Sequence, residues 1–277
     1  MAFLLKSLIG GFSNSIKRAF HRPYGVFNIG WLEEKALKHR KDTGLKYHLY
    51  KNRYRVAFRD ANEFLVSINE LFINEFYKFK SDTDRPKIID CGSYIGTSIL
   101  YFKINYPNAV VTGFEPDPSN YSLLRLNLDN WAFSETEAVN AAIWINNESI
   151  TFSSAGNMSS KIDADNKEAG GNGMVKCVRL SDLLNEDVDF LKIDIEGAEL
   201  PVMRDCGDKI RNVKNLFVEY HGKYDRLSEL NEILDILLRN DFKYCIREGS
   251  VIHPRPFWDK VRKSDYDMLL NIFAFRG

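Results

Sequence analysis

The sequence predicts an α/β fold: a mostly parallel, doubly wound sheet with helices on both faces, preceded by a mainly helical segment. Three observations predict it. From residue 87 onward, short apolar runs alternate with stretches of helical period, and such alternation buries a parallel sheet between helical layers. Four of those runs close on Asp90, Glu115, Asp194 and His221, each followed closely by glycine or proline. The 277 residues, 44% hydrophobic and 27% charged, have the composition of an ordinary globular protein and suffice for one large domain with an appendage.

At the start of the chain, Leu4, Leu5, Leu8, Ile9, Phe12, Ile16 and Phe20 recur at helical spacing, with Lys6, Lys17 and Arg18 among them. A signal peptide puts its charge first and then runs apolar without a break, and a membrane span needs roughly 20 apolar residues; neither fits. The pattern suits a helix lying on a membrane surface, and equally one packed on its own domain or on a second copy of the chain. Residues 1–80 read as a helical, basic cap or oligomerisation segment. They carry 15 Lys/Arg against 7 Asp/Glu, whereas the remainder carries 23 against 31, within a net charge of zero. That asymmetry suits an anionic partner, and equally a solvated charged surface. The polar run from Ser81 to Pro86 marks a boundary, leaving 81–277 as the second domain. Cys91, Cys177, Cys206 and Cys245 are scattered. Neither a zinc site nor a disulfide framework is suggested, and reduced thiols in a cytoplasmic protein are the simplest reading.

After the boundary the elements follow in order. Residues 87–90 read as a strand, then a helix through Ile99 and Phe102, a strand at 110–115 and a helix at 119–128. Runs at 138–145 and 149–152 flank Asn146-Asn147-Glu148, turn chemistry that predicts a hairpin. Residues 154–173, rich in Gly, Ser and Asn, read as a surface loop. Strands follow at 175–180, 190–194 and 216–221, with helices from about 198 and over 227–238. The final runs, 242–247 and 268–275, have no clear helix between them, which predicts an antiparallel hairpin at the sheet edge.

Ligands of an open α/β sheet bind beyond the carboxyl ends of its strands. The first such end, Asp90-Cys91-Gly92-Ser93-Tyr94-Ile95-Gly96-Thr97, is spaced D-x-G-x-x-x-G, not the G-x-G-x-x-G dinucleotide fingerprint. Its glycines allow a tight turn and close approach of a flat, less anionic ligand. The N–H groups opening the next helix suit a carboxylate and Asp90 suits an ammonium. Together these describe an amino-acid portion such as that of methionine; the plainer reading is a turn that needs glycine. Glu115, about 25 residues later in Phe114-Glu115-Pro116-Asp117-Pro118, is placed to accept ribose hydroxyls or simply to favour a helix N-terminus. Asn140, in Asn140-Ala141-Ala142, offers an amide to an adenine edge. Asp194, Glu196 and Glu199 crowd one strand end, where they can orient a hydroxyl, take its proton or hold a metal; Glu196 and Glu199 equally suit a helix start. His221, followed by Gly222, is a candidate general base, though a lone histidine is as readily structural.

The segments IIDCGSYIGTSIL, FEPDP, VNAAIW, VRLSDLL, FLKIDIEGAE and LFVEYHG, in this order and spacing, resemble the FkbM-type methyltransferase family. The resemblance covers roughly residues 88–221, and DCGSYIG and KIDIEGAE are its most specific pieces. It implies a Rossmann-like seven-stranded sheet with an antiparallel last strand, S-adenosylmethionine as cofactor and, usually, O-methylation of a sugar, glycan, lipid or natural product. By position it implies a cofactor loop of Asp90, Gly92, Tyr94 and Gly96, with Ser93 and Thr97 inside it. It makes Glu115 the ribose-binding acid, with Asp117 beside it, and puts Asn140 and Ala141 on the adenine side. It sets Asp194 and Glu196 near the transferred methyl. Cys91 and Ser93 stand where Val and Ala are commoner, and residues 1–80 match nothing in the family, so the acceptor does not carry over. The expectation is in-line transfer to a hydroxyl, with His221 or Asp194 as base and a divalent cation at Asp194 and Glu196 left open. An NAD-dependent oxidoreductase is disfavoured by the missing fingerprint. Nucleic-acid methylation rests only on the basic segment, without the Asn-Pro-Pro-aromatic motif. A non-catalytic or membrane-associated module on the same scaffold is the main alternative, and peripheral membrane contact through residues 1–20 and homo-oligomerisation stay open.

Overall fold

The computed structural model describes residues 24–40, 42–153, 161–162, 173–255, 257–258 and 266–276. The amphipathic run at 1–20 and most of the 154–173 loop lie outside the described residues. The chain divides into two units, Met1–Phe76 with Leu126–Ala132, and Tyr77–Arg125 with Phe133–Gly277.

In the first unit, helix α1 (Trp31–Lys38) is followed by strands β1 (Lys46–Tyr50) and β2 (Tyr54–Phe58), then helix α2 (Ala61–Ile68) and a π turn, Asn69–Ile73. The helical reading of this region omits the β1–β2 hairpin. Lys51 and Asn52 turn it with positive φ values of 46° and 57°, a conformation that asparagine tolerates and lysine does not advertise. Asp60 caps α2, accepting from the N–H of Asn62 at 2.8 Å and of Glu63 at 3.0 Å. Phe27, Phe58 and Phe64 are fully buried, and the last two stack with ring centroids 4.0 Å apart. Asn127 serves β2 as a neighbouring strand would: its Oδ1 accepts from Ala57 N–H at 2.7 Å, and its Nδ2 donates to Ala57 C=O at 2.9 Å.

The second unit contains β3 (Lys87–Cys91), α3 (Thr97–Asn105), β4 (Val110–Phe114), α4 (Pro118–Trp131), whose last residues belong to the first unit, and β5 (Thr136–Val139). Short strands follow: β6 (Ala142–Trp144), β7 (Ile150–Ser153), β8 (Lys161–Ile162), β9 (Gly173–Val175) and β10 (Cys177–Arg179). Then come α5 (Leu180–Leu183), β11 (Val188–Ile193), α6 (Glu199–Cys206), β12 (Val213–Gly222), α7 (Ser228–Arg239), β13 (Lys243–Ser250) and β14 (Met268–Phe275). The main sheet has seven strands in the order β13-β14-β12-β11-β3-β4-β5. Its five strands from β12 to β5 are mutually parallel. Strand β14 runs antiparallel to both neighbours.

The last two strands thus form the edge hairpin that their missing crossover helix predicts, with the final strand as its inner member. Strand β14, Met-Leu-Leu-Asn-Ile-Phe-Ala-Phe, is apolar enough to be covered on both sides. Strand β13, with Lys243, Arg247 and Glu248, is mostly exposed and takes the edge, where charge guards against pairing with other chains. All six residues of β11 are buried, as a central parallel strand requires. Chain direction across the sheet reverses between β3 and β11, so their carboxyl ends form the switch point where such sheets bind ligands.

The hairpin expected around Asn146-Asn147-Glu148 does not form. Strand β6 pairs in parallel with β10, while β7 pairs with β8 and β9. Asn147 explains the difference: its Oδ1 accepts from Arg179 N–H at 2.8 Å and its Nδ2 donates to Asp182 at 2.9 Å, tying the turn to the start of α5. The strand expected over 175–180 is split between β9 and β10. Among the described residues no helix is long and apolar enough to cross a membrane.

Replacing Asn127 by alanine leaves a buried N–H and a buried C=O of Ala57 without their partner. We expect a loss of about 2–4 kcal/mol in unfolding free energy, read by urea denaturation followed through tryptophan fluorescence.

Candidate functional site

The turn after β3 is built by glycine at two places. Gly92 has φ +89°, and a Cβ there would stand 2.0 Å from the backbone oxygen of Asp194, so this chain segment crosses the end of β11 with no room for a side chain. Gly96 has φ +87° and precedes the first residue of α3, Thr97, which is buried. Between them the N–H groups of Gly92 and Ser93 donate to Phe114 C=O at 3.0 and 2.9 Å, pinning the loop to the end of β4. Ser93, also buried, donates from Oγ to Asp90 C=O at 3.1 Å.

Asp90 faces inward. It is fully buried, and its Oδ2 accepts from Ser98 Oγ at 2.5 Å. Its Oδ1 makes no hydrogen bond and lies 3.5 Å from the ammonium of Lys192. Lys192 also reaches Asp194 at 3.1 Å and donates to the backbone oxygen of Gly92. Burial alone would lower the lysine's pKa, but Asp194, with Tyr77 and Asp90, outweighs it and holds the ammonium charged. The ammonium expected at Asp90 from a ligand is therefore supplied by the chain itself.

Glu115 follows β4. Its Oε2 accepts from Tyr94 N–H at 2.8 Å and its Oε1 from Asp117 N–H at 2.9 Å. Burial pushes its carboxyl up to about 8, against the pull of those two bonds and of Lys192, while Asp117 adds to the rise. Each oxygen keeps a lone pair for a further donor. Asp117 itself is fully buried and caps α4, accepting from Ser119 and Asn120 N–H at 2.8 and 3.1 Å; Pro118 opens the helix, the usual arrangement for a cap. Asp117 thus serves the start of α4. Asn140 is exposed, but its Nδ2 donates to the carbonyls of Glu115 and Pro116 at 2.8 and 3.2 Å, so it braces the Glu115 loop rather than presenting that amide nitrogen to an adenine. Ala141 is buried beside it.

On the other side of the switch point, carboxylates surround His221. The ring is 4% exposed. Its Nδ1 lies 3.0 Å from Glu199 Oε1, an oxygen that also accepts from Gly197 N–H at 3.0 Å. Its Nε2 lies 3.5 Å from Glu196 and 3.8 Å from Glu219. Burial favours a neutral ring, but Glu199, Glu196 and Asp194 outweigh it and raise the pKa to about 10. The surrounding carboxylates thus favour a proton on the ring, with Nδ1 held by Glu199 and Nε2 facing Glu196 and Glu219. Burial raises Glu196 to about 7, with Asp194 and Glu199 adding to the rise against His221 and Tyr266. Burial would raise Asp194 too, but Lys192 and His221 bring it below its ordinary value.

The expected site residues therefore fall into two adjoining groups: the 90–97 turn with Glu115 and Asn140, and Asp194 with Glu196 and His221. Lys192 joins them. Sequence reasoning passed over Lys192 and Glu219, although both left a signal. A lysine inside an otherwise buried strand needs a charged partner. Glu219 and His221 sit two apart on β12, hence on one face.

Gly92→Ala tests this packing. The methyl must displace the backbone at Asp194, and the positive φ adds strain. We expect a destabilisation of about 3 kcal/mol or more, read as a fall in Tm together with loss of ligand binding at the switch point.

The family model described as the methyltransferase FkbM domain matches residues 90–244. Methyltransferase 1 of Beauveria bassiana is 28% identical over 164 residues, 50% of this chain and 66% of that protein. Methyltransferase sdnD of Sordaria araneosa is 29% identical over 183 residues, 52% of this chain and 71% of that protein. A crystal structure of methyltransferase FkbM from Methylobacillus flagellatus KT aligns with a TM-score of 0.49 at 19% identity, covering 75% of this chain and 47% of that one. The chain thus spans about two thirds of the length of the first relative and about half of that crystallised chain. More than half of the chain lies within the family match, and the match takes in both groups of the site: the chain belongs to the FkbM methyltransferase domain family.

Proposed function

We propose that the protein transfers a methyl group from S-adenosylmethionine to a hydroxyl of a sugar, glycan, lipid or natural product. The observation that carries this reading is the pairing of two chemistries at one switch point: a glycine turn with a buried acid at the end of β4, and a carboxylate–imidazole cluster at the ends of β11 and β12.

The residues fit the cofactor with one change of role. Glu115 keeps acceptor capacity for ribose hydroxyls, and the Gly92–Gly96 turn lets the backbone approach a flat ligand. Ala141, flanked by Asn140, borders the adenine side. Asp90, enclosed and paired with Lys192, anchors the turn from beneath instead of gripping the ligand. Bound here, S-adenosylmethionine supplies a methyl group that is already electrophilic, so the protein's task is orientation and proton removal. The carboxylates around Asp194 and Glu196 would orient the acceptor hydroxyl and take its proton. The excess of basic residues in 1–80 suits an anionic acceptor such as a sugar phosphate or a lipid-linked glycan. In this reading residues 81–277 form the catalytic domain.

Isothermal titration of the full chain should show micromolar affinity for S-adenosylmethionine and none for NAD. A labelled methyl group should then pass to a member of a sugar and glycolipid panel. Failure of S-adenosylmethionine to bind would overturn the proposal.

Glu115 adds a pH dependence. Its carboxyl is raised to about 8, so below that pH it is protonated, whereas ribose hydroxyls donate best to the carboxylate. Cofactor binding then releases a proton. Affinity should rise with pH toward about 8, by up to roughly tenfold per unit, and level off above it. Glu115→Gln should weaken binding and remove the slope. An equal slope in the variant would assign the titration to another group.

A further inference from the structure

We propose that Asp194, Glu219 and His221 form a binding site for one divalent cation of the Mn2+, Fe2+ or Zn2+ kind. One ligand atom from each lies within 4.8 Å of the others. Ligands about 2.1–2.3 Å from a common ion stand at most about 4.6 Å apart, so small side-chain rotations close the set. The expected pair was Asp194 with Glu196; the converging set has Glu219 and His221 in place of Glu196.

Three further observations point to a cation. First, the imidazole is almost fully buried and aims Nε2 into the cluster, yet that atom makes no hydrogen bond among the described residues; its nearest carboxylate oxygens are 3.5 and 3.8 Å away. Second, the ring is already oriented as metal-bound histidines are. Nδ1 is held at 3.0 Å by Glu199, which is 1% exposed and itself fixed by Gly197 N–H; a carboxylate behind a ligating imidazole sets its tautomer and raises its basicity. Third, a carboxylate oxygen of Asp194 and one of Glu219 lie within 4.8 Å of each other. Two acids so close need a shared proton or a shared cation, and Lys192 is already divided between Asp90 and Asp194.

One imidazole with two carboxylates suits a first-row transition ion better than Ca2+ or Mg2+, which prefer all-oxygen shells. Three protein ligands leave coordination positions for a hydroxyl or a vicinal diol. That acceptor-holding role rests on the methyl-transfer reading; the cation site itself does not.

The test is Mn2+ titration of the full-length protein, followed by calorimetry and by loss of the free-ion electron paramagnetic resonance signal, with S-adenosylmethionine titrated into the same samples. We expect one Mn2+ per chain, bound at least tenfold more weakly by Glu219→Gln and by His221→Asn, with cofactor affinity within a factor of about three of the parent. Glu219→Gln is nearly isosteric, so it keeps the test sound if His221→Asn misfolds, which circular dichroism would show. No Mn2+ binding at millimolar concentration, or binding unchanged in a folded variant, would overturn the site. Mn2+ binding that weakens in the variants while S-adenosylmethionine fails to bind would uphold the site and remove the methyl-transfer reading alone.

Discussion

Lys192 places a full positive charge inside the central strands of the sheet. It is 4% exposed and reaches Asp90 on β3, Asp194 beyond β11 and the backbone oxygen of Gly92. A charge in that position is tolerated only if its partners are fixed. Losing one partner of a buried pair costs about 3–5 kcal/mol, because the survivor is left uncompensated. The interaction therefore works as a geometric constraint. It ties β3, the glycine turn and the end of β11 to one point. Gly92 completes the constraint by packing directly on the Asp194 backbone. The turn expected to meet the cofactor and the acid expected to face the acceptor cannot move independently.

The two sides of this junction neutralise their acids differently. Glu115 is held by backbone N–H groups in an enclosed place, and burial favours its proton. Across the junction Asp194, Glu196, Glu199 and Glu219 crowd around Lys192 and His221, so negative charge exceeds what the lysine can balance. That environment demands positive charge, from a ring proton or from an ion. One switch point thus holds an enclosed acid held by backbone N–H groups beside a crowded carboxylate–imidazole cluster.

Much of this was legible from residue order alone. Strand-end acids were readable because a parallel sheet exposes its carboxyl ends and buries its strand interiors. Asp90, Glu115, Asp194 and His221 all stand at or just beyond the carboxyl ends of their strands, although Asp90, Glu115 and His221 are buried there. Their partners were less legible, since pairing depends on strands distant in sequence. Asp90 and Lys192 are neighbours only because β3 and β11 pair across the reversal of strand order. Asn147 illustrates the opposite failure: its local turn chemistry suggested a hairpin, but a tertiary bond to Arg179 N–H prevailed. The cap at Asp117 went unread, although Asp followed by Pro at a helix start is a capping signature. The β1–β2 hairpin was obscured by a turn through Lys51 and Asn52 that lacks glycine.

The segment from Asp194 to Glu199 shows how one short loop serves both structure and chemistry. Glu196 has φ +57° and Gly197 φ +98°. For glutamate that conformation costs roughly 1 kcal/mol or more and persists only where the surroundings enforce it. Here they do. Tyr266 donates from its hydroxyl to Glu196 C=O at 3.0 Å, and its ring lies 4.6 Å from that of His221. Glu199 turns back to accept from Gly197 N–H while it holds His221 Nδ1. The reversal lets two acids approach one imidazole from opposite sides, Glu199 at Nδ1 and Glu196 toward Nε2. A regular helix start would place them on one face, both able to favour the dipole and neither able to enclose the ring. The strain at Glu196 is thus the local cost of enclosing a buried histidine, and it marks this loop, more than the glycine turn, as the part of the fold shaped by chemistry instead of packing.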